Sequence, residues 1–180
     1  MPGSRLPLPE LAKPARRRWL AAAGVALVLL SGCGFQLRKP PEFAFKTLYT
    51  GVGDKSLIAN ELKRYMRAIG SVQVLTDATQ RPGADVVLDI LSEQREKVVV
   101  GLNAAGQVRE FLLRTRLKFK LSTPQGKELI APTEILQERD ISFNETAVLS
   151  KETEETMLYR DMQSDIVQQL MRRLAAIKAI

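Results

Sequence analysis

The sequence predicts an α+β domain: a mostly antiparallel or mixed sheet of about four strands, with two helices packed on one face. Three observations predict it. Residues 111–121 set a mainly apolar face against a mainly charged one with a period of two, the mark of a half-buried antiparallel strand. Two segments, residues 56–69 and 158–177, place apolar side chains at helical spacing. The elements also run strand, helix, strands, helix, an order in which one sheet with both helices on the same side buries both apolar stripes.

Residues 43–50, FAFKTLYT, read as a strand with Phe43, Phe45, Thr47 and Tyr49 on one face. Residues 51–54 turn the chain. Residues 56–69 carry Leu57, Ile58, Leu62, Tyr65, Met66 and Ile69 as a helical stripe, and Gly70 is placed to end the helix in the left-handed conformation. A short strand-like piece at 72–75 follows, then a loop closed by Pro82-Gly83. In residues 84–101, Val86, Leu88 and Ile90 alternate and three valines sit at 98–100; LNAAGQ then turns the chain. In the long strand Phe111, Leu113, Thr115, Leu117, Phe119 and Leu121 share one face, and Leu112, Arg114, Arg116, Lys118 and Lys120 the other. STPQGKE is a hairpin turn, and residues 128–143 hold a further strand expected to be interrupted at Pro132. In the last helix Leu158, Met162, Ile166, Leu170, Leu174 and Ile177 form a stripe widened by Val167. Glu152, Glu154 and Glu155 in its opening turns, and Arg172, Arg173 and Lys178 at its end, suit the helix dipole.

The N-terminus has a different logic. Arg16, Arg17 and Arg18 precede twelve uncharged residues, WLAAAGVALVLL, and the small residues Ser31 and Gly32 end the run. This is the pattern of a secretory signal peptide over residues 1–32. The apolar run is shorter than the roughly 20 residues of a spanning helix, which disfavours the alternative of an uncleaved anchor. Leu30-Ser31-Gly32-Cys33 resembles the lipobox of bacterial lipoproteins, in which the cysteine sulfur receives a diacylglycerol, the chain is cut before the cysteine and the new amine is acylated. A thiolate is the nucleophile this requires at neutral pH. Two or three acyl chains hold a protein on a bilayer, each buried methylene contributing about 0.8 kcal/mol. Gly34 rather than aspartate follows the cysteine, and by resemblance to sorted lipoproteins this favours the outer membrane. Residues 33–42, with Pro40-Pro41, read as a lipid-anchored tether, and 43–180 as a single α+β domain.

Composition excludes more than it suggests. The formal charge of +7 is inflated by the leader, which holds five Lys/Arg and one acid; 22 basic and 19 acidic residues remain, a net +3. That is too mild to imply a nucleic-acid partner. The chain has no histidine, and its single cysteine is committed to lipid. It has no Gly-rich phosphate loop and no G-x-S-x-G motif, and Asp85 and Asp89 look like ordinary strand residues. No enzyme, cofactor or metal site is expected.

Taken in order and spacing, these pieces resemble the LPS-assembly lipoproteins of the LptE family. The carrying stretches are CGFQLR after the signal, the basic helix ending at Gly70, the hairpin before REFLLRTRLKFKL, and the closing FNETAVLSKETEETMLYRDMQSDIVQQLMRRL. The resemblance covers most of the mature chain. It implies a lipid-anchored protein of the outer membrane that faces the periplasm or plugs the lumen of the large β-barrel LptD, binds lipopolysaccharide and helps it reach the outer leaflet. It further implies that Lys151, just inside the last helix, contributes to lipopolysaccharide binding. An arginine of the family's hairpin loop is replaced here by Ala104, so Arg109 or Lys97 beside the loop stand as substitutes. A solvated surface lysine is the plainer reading of Lys151 taken alone.

The strand face of Arg114, Arg116, Lys118 and Lys120 spans about 20 Å and invites a role against anionic sugars or a polar barrel wall. A merely solvated face, offset by acids such as Glu93 and Glu96 on a neighbouring strand, is the favoured reading. The alternative function is a stand-alone periplasmic ligand-binding lipoprotein. It needs an enclosed apolar pocket, and the chain shows no surplus of aromatics to line one.

The lipoprotein reading makes a direct prediction. Mass spectrometry of the native N-terminus should find acylated Cys33 as the first residue, and Cys33→Ala should leave an unprocessed, unlipidated precursor. An unmodified Cys33, or a chain still starting at Met1, overturns it.

Overall fold

The computed structural model describes residues 41–51 and 56–180. The signal peptide, Cys33 and the tether as far as Pro40 lie outside the described residues. The chain divides after Lys39, and the unit Pro40–Ile180 is the one described. Its sheet has five strands: β1 (Thr47–Tyr49), β2 (Gln73–Leu75), β3 (Val86–Leu102), β4 (Val108–Ser122) and β5 (Glu128–Ser142), in the order β2-β1-β3-β4-β5. Helix α1 (Leu57–Ile69) joins β1 to β2, and α2 (Val148–Ala175) closes the chain.

The sheet is mixed for a topological reason. Because α1 carries the chain across from β1 to β2, those strands run parallel, as do β1 and β3. Tight turns at 103–107 and 123–127 make β3, β4 and β5 antiparallel. Gly106 and Gly126 take the positive φ these turns need, 77° and 92°. Both helices pack on one face. Ile58, Leu62 and Met66 of α1 and Ile166, Val167, Leu170 and Leu174 of α2 meet Val86, Leu88, Leu117, Phe119, Leu121 and Ile135 of the sheet in one core. On the opposite face the buried residues Tyr49, Ala84 and Val87 form a small apolar cluster.

Helix α1 begins where its cap dictates. Ser56 Oγ accepts from the Ala59 N–H at 3.0 Å and donates to Glu93 Oε2 at 2.5 Å, tying the helix start to β3. Gly70, at φ 73°, ends it, with its N–H on the Met66 carbonyl. The buried stripe is narrower than the periodicity predicts, since Leu57 and Tyr65 are exposed. Glu61 takes part of the interface instead. It is 5% exposed, and its carboxylate accepts from Gln163 Nε2 and from Ser164 Oγ, which locks α1 to α2. Helix α2 starts at Val148 and stops at Ala175, so Ile177 packs on the core from beyond its end.

Three expected features differ. The strand predicted at 43–50 shrinks to three residues, and Phe43, Phe45, Thr47 and Tyr49 do not share a face. Phe45 and Leu48 enter the main core while Tyr49 lies on the other side. The cause is Asp85, whose carboxylate takes the N–H groups of Lys46 (2.8 Å) and Thr47 (2.9 Å) while its own N–H donates to Thr47 Oγ1. Those amides turn to a side chain, and the chain bends at Lys46. Next, β5 is continuous through Pro132. Its register slips between Ile130 and Thr133, and as an edge strand it tolerates the missing donor. Last, β3 does not alternate throughout. A bulge between Ile90 and Ser92 adds Leu91, and the side chains from Ser92 to Val99 change face, before a second irregularity at Val99–Gly101.

Two predictions follow from these contacts. Leu117 is fully buried, so Leu117→Asp should unfold the domain, losing well over the 2–5 kcal/mol of a large-to-small change. Lys118→Asp, on the exposed side opposite Glu134, should cost at most about 1 kcal/mol, and equal melting temperatures would refute the assigned faces. The two amides bound by Asp85 hold its carboxyl below the ordinary carboxylate range. A depressed pKa gives stability that is fully present above the unfolded value near 3.9 and lost as pH falls through the lower folded one. Asp85→Asn should therefore cost about 1 kcal/mol at neutral pH, a figure reduced for solvent screening. In urea unfolding the gap to wild type should close below about pH 4; a gap independent of pH would show that the charge contributes nothing.

Candidate functional site: a lysine cleft at the tip of the sheet

The β3–β4 hairpin runs on past the helix-covered core, and its tip is rigidly built. Asn103 Oδ1 accepts from the N–H groups of Ala105 (3.0 Å) and Gln107 (2.9 Å), and Asn103 Nδ2 donates to Gln107 Oε1 at 2.8 Å. The end of β5 returns beside it, with the Phe143 N–H on the Arg109 carbonyl at 2.8 Å. Asn144 then caps a 3-10 turn, Glu145–Ala147, by accepting from Thr146 N and Oγ1. Helix α2 starts directly afterwards with no side-chain cap of its own.

These elements enclose a cleft of about 250 Å³. Its floor is apolar: Phe111, Ile141, Phe143 and Val148. Phe111 and Phe143 meet edge to face at 5.4 Å. Its rim carries Lys97 from β3 and Lys151 from α2, which the fold brings to one place. Lys97 Nζ sits 4.3 Å from the centre of the Phe111 ring and 2.6 Å from Glu155 Oε2. Lys151 Nζ donates to Ser142 Oγ at 3.0 Å and to Glu154 Oε2 at 2.8 Å. Both lysines are thus held over the floor by carboxylates that remain partly exposed. The arrangement suits an anion attached to an apolar group: the anion exchanges for a glutamate, and the apolar part covers the rings. The same end of the molecule exposes Val99, Val100 and Leu102 on the hairpin, and Leu149, 80% exposed, in the first turn of α2.

Of the other sequence-predicted residues, Arg109 has an exposed side chain that makes no ion pair among the described residues and does not line the cleft. The basic strand face is largely neutralised. Arg114 pairs with Glu138 at 2.6 Å, Arg116 with Glu96 at 3.7 Å and Lys120 with Asp89 at 3.5 Å; Lys118 is exposed between Ser92 and Glu134 in the register. Glu96 is the neighbour expected, but Glu93 is not, because the bulge turns it to the helix side and onto Ser56. Sequence reasoning missed Phe143, Ser142 and Glu155. Only the pairing of Phe111 with Ile141 and Val99, and of Lys97 with Leu113, places them round one opening. Among the described residues no group of His, Cys, Asp or Glu is arranged to hold a metal ion. No helix among them is long and apolar enough to cross a membrane.

Comparison with known proteins finds similarity over most of the folded unit. The family model LptE, described as lipopolysaccharide-assembly, matches residues 43–174. The LPS-assembly lipoprotein LptE of Pectobacterium atrosepticum is 27% identical over 164 residues, 89% of this chain and 86% of its own length. That of Yersinia pestis strain Pestoides F is 24% identical, over 87% and 74%. Among solved structures, lipoprotein B of Nitrosomonas europaea superposes with a TM-score of 0.67 at 33% identity, covering 79% of this chain and 91% of that one. The rare lipoprotein B of Shewanella oneidensis shares the fold, with a TM-score of 0.60 at 22% identity over 73% and 95%. The chain belongs to the LptE family, lipoproteins of lipopolysaccharide assembly that catalyse no reaction.

Proposed function

We propose that this protein is held at the outer membrane by acyl chains on Cys33, partners the β-barrel LptD as plug and scaffold, and binds lipopolysaccharide through phosphates at the Lys97–Lys151 cleft. One observation carries the binding part: two lysines distant in sequence meet over an aromatic floor at the exposed apolar end of the sheet. Lipid A presents phosphates beside acyl chains, so its binder needs cations next to apolar groups. An ammonium on phosphate makes a charge-assisted hydrogen bond, and the uncapped first turn of α2 adds N–H groups and the positive end of a dipole. Glu152, Glu154 and Glu155 oppose an anion and set the affinity low. The cleft, at about 250 Å³, falls below the 300–1,000 Å³ typical of small-molecule pockets, so it is not the enclosed apolar pocket that a stand-alone carrier needs.

The test has two arms. The acylated protein purified from membranes should bring down a stoichiometric barrel; recovery alone would sink the partnership. In pull-downs at low and moderate salt, Lys151→Glu and Lys97→Glu should each weaken lipopolysaccharide capture about tenfold and leave barrel binding intact, since one exposed charge rarely carries an interface. Capture that survives both reversals at both salts would make the lysines ordinary surface groups.

A further inference from the structure

A second, larger recess of about 530 Å³ lies between the two helices, and three cations from three different elements converge on it. Arg64 of α1, Arg160 of α2 and Arg95 of β3 all line it. Arg95 is fixed in place: it donates to Gln163 Oε1 at 2.7 Å and lies 5.3 Å from the centre of the Tyr159 ring. The ring is itself pinned by its hydroxyl, which donates to the Glu96 carbonyl at 2.9 Å. Glu61 is the one carboxylate in the lining, and it is already engaged by Gln163 and Ser164 and buried in the helix interface. Arg64 and Arg160 are exposed and have no carboxylate partner among the described residues. Other basic residues of β3, β4 and β5 stand against acids, as in Arg114–Glu138, Arg139–Asp165 and Lys97–Glu155. Here the fold gathers three guanidinium groups and satisfies the only acid with neutral donors.

From this arrangement we infer that the recess between α1 and α2 binds a phosphate group carried on a sugar. Guanidinium is planar, permanently charged and matched to phosphate by two parallel N–H donors. The recess is within the size range of small-molecule sites, and Thr156 Oγ1 on its wall, which donates to the Glu152 carbonyl at 2.9 Å, can still accept from a sugar hydroxyl. Arg95 and Lys97 stand two residues apart on one face of β3, about 7 Å along the strand, so the recess adjoins the tip cleft. The inference stands on the recess itself and rests on the proposed function only for the expectation that the sugar belongs to lipopolysaccharide.

The test uses the full chain in non-ionic detergent, titrated calorimetrically with glucose 6-phosphate, glucose and inorganic phosphate. Wild type should bind the phosphosugar at least tenfold more tightly than either of the others, and more weakly as salt rises. Arg64→Gln/Arg160→Gln, both at exposed positions, should melt as wild type and lose at least tenfold in phosphosugar affinity. Lys118→Gln, exposed on the other face of the sheet and lining neither recess, should retain it. Unchanged affinity in the double variant, or glucose or phosphate alone binding as well as the phosphosugar, overturns the inference. Lipopolysaccharide capture by the same double variant separates the sources: loss of both ligands assigns the phosphosugar to the glycolipid, and loss of glucose 6-phosphate alone assigns a soluble phosphosugar. Loss of phosphosugar binding in the double variant, with lipopolysaccharide capture intact in Lys151→Glu and Lys97→Glu, upholds this recess and refutes only the tip cleft.

Discussion

The bulge at Leu91 decides which side chains this domain presents. Up to Ile90, β3 faces the helices with Val86, Leu88 and Ile90. Uninterrupted alternation would then place Ser92, Gln94, Glu96 and Val98 under the helices. The extra residue moves Glu93, Arg95, Lys97 and Val99 there instead. Each moved residue is used. Glu93 holds the cap of α1, Arg95 packs on Tyr159 of α2, and Lys97 reaches Glu155 and the Phe111 ring. Glu96, turned outward, becomes a partner for Arg116. A one-residue slip in one strand thus attaches both helices and builds both recesses.

The bulge also explains where the sequence was legible. β4 is central in the antiparallel half, is paired on both sides and has one dry face, so its alternation is unbroken and its register readable. The cap at Gly70 and the late stripe of α2 are equally local signals, and both appear as expected. β3 carries the same kind of pattern only as far as Ile90. Beyond it the residues are charged on both faces, so nothing in composition marks the change of side. The approach of Lys97 to Lys151 is therefore invisible without the pairing, although resemblance to a family had pointed to each separately. β1 failed for another reason: one carboxylate, Asp85, outcompeted the ladder for two amides.

The outer face of the sheet shows what the arginines and lysines of β4 are for. A row of cations on alternate positions, unopposed, would repel itself and invite any polyanion. Here β3 and β5 flank it with Asp89, Glu96 and Glu138, so that the cross-strand neighbours cancel. Exposed pairs of this kind add about 0–1 kcal/mol each. Their larger effect is to make that face nearly neutral, which leaves the helix side, with its lysine cleft and arginine recess, as the place where positive charge is not fully spent.

Within that side the two recesses are set differently, and the difference bears on assembly. The cleft lysines each hold a partly exposed glutamate, so an incoming phosphate replaces one charge-assisted bond with another and releases a carboxylate to water. Such an exchange is close to balanced, and the ligand leaves as readily as it enters. The recess arginines give up no carboxylate when they take an anion, so the gain there is not offset. Under the proposed function the protein must both take lipopolysaccharide and let it go. On that proposal, a balanced contact at the exposed apolar tip and the anion site inferred between the helices would together hold the polar end of a glycolipid and leave its acyl end free to move on.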